Sequence, residues 1–131
     1  MKILIAEDDL INRMFMKKYL SYYGDCDLAK NGMEAIECVT KALQKEEHYD
    51  LICLDVMMPM VDGFKALQSI RELEKAHSKC HNELAKVIMT TALNDRDTVN
   101  EAYRLGCEAY VWKPIDVDKF GEVLKELELV Q

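Results

Sequence analysis

Two kinds of segment alternate along this chain, and the alternation limits the fold more than any other feature. Short apolar runs lie at 3–6 (ILIA), 51–54 (LICL), 87–89 (VIM) and 109–112 (AYVW), with a weaker one at 26–29 (CDLA). Such short runs, bounded by polar residues, read as strands buried on both faces. Longer amphipathic segments separate them. Ile11, Met14, Phe15 and Tyr19 recur at helical spacing, as do Ile36, Val39 and Leu43. Phe64, Leu67, Ile70 and Leu73 form another stripe, and Val117, Phe120, Val123, Leu124 and Leu127 the last. Five strands alternating with five helices predict βαβ units, hence a parallel sheet with helices on both faces. Gly24 and Gly106 follow helical runs, where a left-handed cap is expected. Asn31-Gly32 is expected to open the second helix.

The run LICL ends in Asp55 instead of a turn residue. A carboxylate there is unfavourable unless something compensates its burial. Parallel sheets bind ligands at the C-terminal ends of their strands. Those ends carry Glu7, Asp8 and Asp9 after the first strand and Asp55 after the third. Thr90 and Thr91 follow the fourth, and Lys113 and Pro114 the fifth. Crowded carboxylates repel one another unless a cation joins them. Their oxygens suit Mg²⁺, which prefers to be shared with a phosphate. A lysine and a hydroxyl would hold the phosphate's other oxygens. The pattern predicts Asp55 as a nucleophile aimed at a phosphoryl group. Singly, each residue has an ordinary explanation: Asp9 caps the first helix, Lys113 is a loop lysine and Thr91 a strand-end hydroxyl. Their joint placement on the ends of one sheet favours a site.

Bulk properties narrow the classes. A chain of 131 residues predicts one domain. A net charge of −7 argues against a nucleic-acid or anionic-membrane surface. No apolar run approaches the roughly 20 residues of a membrane span. The start, MKILIAEDD, lacks the apolar stretch of a signal peptide. Five cysteines with no CxxC pair fit free thiols in a reducing compartment. A cytoplasmic protein is expected, with Cys38, Cys53 and Cys107 as small core residues.

The stretches ILIAEDD, LICLDVMMPMVDG, VIMTTA and GCEAYVWKP together resemble the receiver domain of bacterial two-component response regulators. The resemblance implies a flavodoxin-like, doubly wound α/β fold with strand order 2-1-3-4-5. It implies Asp55 as acceptor of a phosphoryl group from a histidine kinase or histidine phosphotransfer protein. By the same likeness, Asp8 ligates Mg²⁺ directly (Mn²⁺ is a possible substitute), Glu7 helps through water, and Met57 offers its backbone carbonyl. Thr91 matches the switch hydroxyl, Tyr110 the switch aromatic and Lys113 the phosphate-binding lysine, with a cis Lys113–Pro114 bond. The output is a changed surface on the fourth helix, fifth strand and fifth helix, read by a downstream target protein, not catalysis on a separate substrate. Two features depart from the usual pattern. The segment 71–86 is longer than in most receivers, and no output domain is expected within 1–131, as in stand-alone chemotaxis or phosphorelay receivers.

Two other classes fit less well. A phosphohydrolase with an aspartyl-phosphate intermediate commonly has a general acid two residues after the nucleophile; here Met57 stands there and cannot move protons. A flavodoxin-like FMN carrier needs a phosphate cradle after the first strand, where this chain is acidic. Three further expectations attach to single motifs. His77, Cys80 and His81 would share a helical face and could hold Zn²⁺, although a solvated helix end is the favoured reading. Trp112 shares a strand face with Tyr110, as a partner anchor or as packing on the fifth helix. Met57 and Leu93, both apolar, flank the approach of hydrolytic water, so a long-lived phosphoryl group is expected.

Overall fold

In a computed structural model of the chain, residues 1–77, 84–92 and 96–131 are described. The elements alternate as expected: β1 (Lys2–Ala6), α1 (Leu10–Leu20), β2 (Asp25–Ala29), α2 (Gly32–Gln44), β3 (Leu51–Asp55), α3 (Gly63–His77), β4 (Lys86–Thr91), α4 (Arg96–Arg104), β5 (Ala109–Trp112) and α5 (Val117–Glu126). The sheet is parallel throughout, in the order β2-β1-β3-β4-β5. This is the five-stranded flavodoxin-like arrangement.

Alternation along the strands divides the core in two. Leu4, Ile52, Leu54, Val87 and Met89 face α2, α3 and α4, meeting Val39, Leu67 and Ile70. Ile3, Ile5, Leu51, Cys53 and Ile88 face α1 and α5, meeting Met16, Leu20, Phe120 and Leu124. Each large side chain so buried contributes about 1.5–3 kcal/mol relative to exposure. The same alternation decides where the polar strand ends point. Glu7 is two residues after Ile5, Asp55 two after Cys53, and Lys113 two after Val111, so all three leave the sheet on the α1/α5 side.

Local signals behaved as expected at several joints. Asp9 caps α1, its side chain accepting the Asn12 amide at 2.9 Å. Asn31 caps α2 in the same way through the Glu34 amide, at 2.8 Å. Gly106 takes φ +105, the left-handed conformation expected after α4. Cys53 and Cys107 are buried, Cys38 is partly buried, and these three and Cys26 are free thiols. No helix among the described residues is long and apolar enough to cross a membrane.

Two expectations are corrected. Gly24 is not a left-handed cap, since Ser21 closes α1. It is glycine because Met1 passes close by: a Cβ there would lie 2.1 Å from the Met1 carbonyl oxygen. The expected inner stripe of α1 is also wrong. Ile11 is 78% exposed, and Met14 and Phe15 also face outward. The buried stripe is Arg13, Met16 and Leu20. Apolar residues lie on both sides of this helix, so spacing alone did not identify the inner one. The anchoring contacts do: Arg13 bonds to the turn before the helix, and the Tyr19 hydroxyl donates to the Val117 carbonyl at 3.2 Å while its ring meets Phe120 edge-on.

Candidate functional site

The C-terminal ends of β1, β3 and β5 bring Glu7, Asp55 and Lys113 together although they are far apart in sequence. Glu7 and Asp55 are buried, at 3% and 4% exposure. The Lys113 ammonium donates to Glu7 Oε2 at 2.8 Å and to Asp55 Oδ2 at 3.1 Å. The other Asp55 oxygen accepts the Met57 amide at 3.2 Å. Asp8 is exposed beside them, and one oxygen from each of Glu7, Asp8 and Asp55 lies within 4.8 Å of the other two.

The electrostatics follow from this crowding. Burial, and then the Glu7 charge, push the Asp55 carboxyl up to about 7, against the opposing pull of Lys113 and the Met57 amide. Burial draws the Lys113 ammonium down, but its bonds to Glu7 and Asp55 outweigh that and hold its pKa above the ordinary value. One lysine thus serves two carboxylates, with a third at the mouth. Three converging carboxylate oxygens, with no sulfur or nitrogen ligand among them, suit a hard divalent cation. The donor set therefore fits the metal that the sequence implied.

The neighbouring residues are equally placed. Thr91, at the end of β4, is fully buried, and its carbonyl accepts the Lys113 amide at 2.7 Å. The Lys113–Pro114 bond is cis. Met57 presents its backbone to Asp55, while its side chain is exposed. Tyr110 is only 8% exposed, with its ring in the core. Trp112, 48% exposed, holds the surface position, edge-to-face with Tyr110 at 5.6 Å. It lines a cleft of about 720 Å³ with Ile115, Lys119 and Val123. The pair does share a strand face. Leu93 lies outside the described residues, as do Cys80 and His81 of the possible zinc motif.

Two features escaped the sequence reading. Arg13 is buried, and its Nη1 donates to the backbone carbonyls of Glu7, at 2.9 Å, and Asp8, at 3.4 Å. Its i, i+3, i+7 spacing with Met16 and Leu20 was the available signal. The other is an apolar rim. Leu10, Ile11, Met14 and Phe15 are exposed on α1, and Ile11 and Phe15 line a cleft of about 220 Å³ with Glu7, Thr90 and Lys113. Met57 and Met60 are exposed on the β3–α3 connection.

Comparison with known proteins gives a consistent result. The profile of the response regulator receiver domain matches residues 3–125. Hybrid signal transduction histidine kinase B of Dictyostelium discoideum is 38% identical over 121 residues, covering 87% of this chain and 6% of that protein. The chain therefore spans a small part of that relative's length. The receiver domain of Ssk1 from Saccharomyces cerevisiae, solved in complex with the histidine phosphotransfer protein Ypd1, superposes with a TM-score of 0.80 at 30% identity, covering 96% of this chain and 87% of that one. The receiver domain of the histidine kinase CKI1 from Arabidopsis thaliana, solved with Mg²⁺, gives a TM-score of 0.84 at 23% identity, covering 96% and 90%. That last likeness establishes the fold.

Proposed function

The chain belongs to the response regulator receiver domain family, and from that premise we propose that Asp55 is the residue on which it accepts a phosphoryl group. The phospho-accepting role in two-component signalling comes with the family. The observation that carries the assignment is the position of Asp55: at the end of the central strand, buried, with Lys113 at 3.1 Å and Glu7 and Asp8 converging beside it.

In the proposed transfer, an Asp55 oxygen attacks the phosphorus of a phosphohistidine. The O–P bond forms as the P–N bond breaks, and the bond electrons leave on the imidazole, which takes up a proton. Glu7, Asp8, Asp55 and the Met57 carbonyl would hold Mg²⁺, or Mn²⁺ in its place. The bound cation would neutralise charge between carboxylates and phosphoryl oxygens. Lys113 is positioned to hold a phosphoryl oxygen. The Thr91 hydroxyl would take another, and Tyr110 would report the change behind it, so that a local charge event alters the surface around β5 and Trp112. The donor would be a histidine kinase or a histidine phosphotransfer protein, as in the Ssk1 complex. The exposed apolar residues of α1 beside the acceptor suit a protein partner. A downstream target and a cytoplasmic setting complete the reading. The apolar Met57 two residues after Asp55 disfavours a phosphohydrolase with a general acid there.

Incubation with labelled acetyl phosphate and Mg²⁺ tests this. One label per chain, sensitive to hydroxylamine and absent from Asp55→Asn, is expected. Repeated turnover would indicate a hydrolase, and label persisting on Asp55→Asn would remove the assignment.

A further inference from the structure

Helix α1 turns an arginine inward while four apolar side chains stay in solvent. Arg13 is 8% exposed and begins the stripe that continues with Met16 and Leu20. Arginine is seldom buried without partners. Here the partners are backbone oxygens: Nη1 bonds the Glu7 carbonyl at 2.9 Å and reaches the Asp8 carbonyl at 3.4 Å. Among the described residues no carboxylate forms an ion pair with it.

Those two carbonyls belong to the residues whose side chains converge on Asp55. We propose that Arg13 is a positioning residue for the divalent-cation site, clamping the β1–α1 turn by its backbone so that the Glu7 and Asp8 carboxylates stay directed at Asp55. The choice of acceptor matters. A guanidinium paired with either carboxylate would take an oxygen from the metal. Bonded to the carbonyls, it fixes the turn, leaves every carboxylate oxygen available and places positive charge behind three acids that repel one another. Lys113 braces Glu7 from the β5 side, and the Asp9 amide donates to Glu7 Oε1 at 3.3 Å. Among the described residues the Asp8 side chain has no such brace, so its backbone is the point at which it is steered. Groups behind the metal ligands typically alter affinity by about 10–100-fold.

This inference rests on the receiver reading, and the two fail differently. The test is Mg²⁺ binding to the whole chain by calorimetry, with thermal unfolding in EDTA and in Mg²⁺ alongside. Arg13→Met should weaken Mg²⁺ about tenfold, and Arg13→Lys, whose point charge reaches one carbonyl, should fall between. Phosphorylation by acetyl phosphate should need more Mg²⁺ while its maximal rate at saturating Mg²⁺ is kept. Met16→Ala is the control: it loosens the same face of α1 one turn further on, so it should lower the unfolding temperature and leave Mg²⁺ affinity unchanged. The proposal is overturned if folded Arg13→Met binds Mg²⁺ as the parent does, or if Met16→Ala weakens it equally. Should Arg13→Met not fold, Arg13→Lys decides, and parental affinity there overturns the clamp. A parent chain that binds no Mg²⁺ overturns the metal-site reading as well.

Discussion

Burial and the Glu7 carboxylate raise the pKa of Asp55 to about 7 in the metal-free protein. An aspartate in the unfolded chain titrates near about 3.9. Above that value the folded state therefore holds more protons than the unfolded one, and stability falls as pH rises towards about 7. Asp55→Asn keeps the shape and an oxygen for Lys113 but has no charge to bury. In EDTA at neutral pH it should be more stable than the parent by on the order of 1 kcal/mol, with the gap closing in acid. Urea unfolding at two pH values measures this; an Asn variant less stable at neutral pH would contradict it. The same residue scale holds the lifetime of the phosphoryl group. Met57 lies beside Asp55 with its side chain exposed, and the family likeness implies a flanking role on the water path for Leu93, which lies outside the described residues. Neither can orient water by hydrogen bonding. Met57→Asn combined with Leu93→Glu should shorten the lifetime in isolated, labelled protein; equal decay would remove the argument.

Among the elements, α3, β4 and the α4–β5 connection are joined by one guanidinium. Arg71 donates to Glu74 at 2.7 Å, to the Ala85 carbonyl at 2.9 Å, to the Gly106 carbonyl at 2.8 Å and to Glu108 at 2.9 Å. Glu74, 3% exposed, also accepts the Ala85 amide at 2.8 Å, and Glu108 accepts the Val87 amide. Both carboxylates thus satisfy backbone groups where the chain enters β4. The extended connection begins here, and this anchoring holds its described end. Removing one partner of a buried pair strands the other, at roughly 3–5 kcal/mol. Arg71→Leu should destabilise by about that much, and adding Glu74→Gln should recover part of it. Denaturant unfolding of the single and double variants checks the coupling; strict additivity would mean that the pair does not act as a unit.

Seen across the molecule, Asp55 and the surface face of β5 are connected by a short strand. Lys113 touches Asp55, and Trp112, the single tryptophan, is its neighbour and stacks edge-on with Tyr110. Emission from Trp112 should therefore change when the protein is labelled by acetyl phosphate and Mg²⁺, and stay constant in Asp55→Asn. Full labelling without a change in emission would mean that the charge event does not reach this face. The sheet was legible in the sequence, because runs of three or four apolar residues between helical stripes have few other ways to be buried. The convergence of Glu7, Asp8, Asp55 and Lys113 was legible too, because parallel strands deliver their C-terminal residues to one edge whatever the helices do. The facing of α1, the reason for Gly24 and the Arg71 brace came from contacts in the folded chain. Each depends on groups distant in sequence, such as Tyr19 with Val117 at a separation of 98 residues and Arg71 with Gly106 at 35. Periodicity encodes which residues share a face of a helix, and not which face meets the sheet, so a helix apolar on both sides takes its orientation from the contacts that fix it.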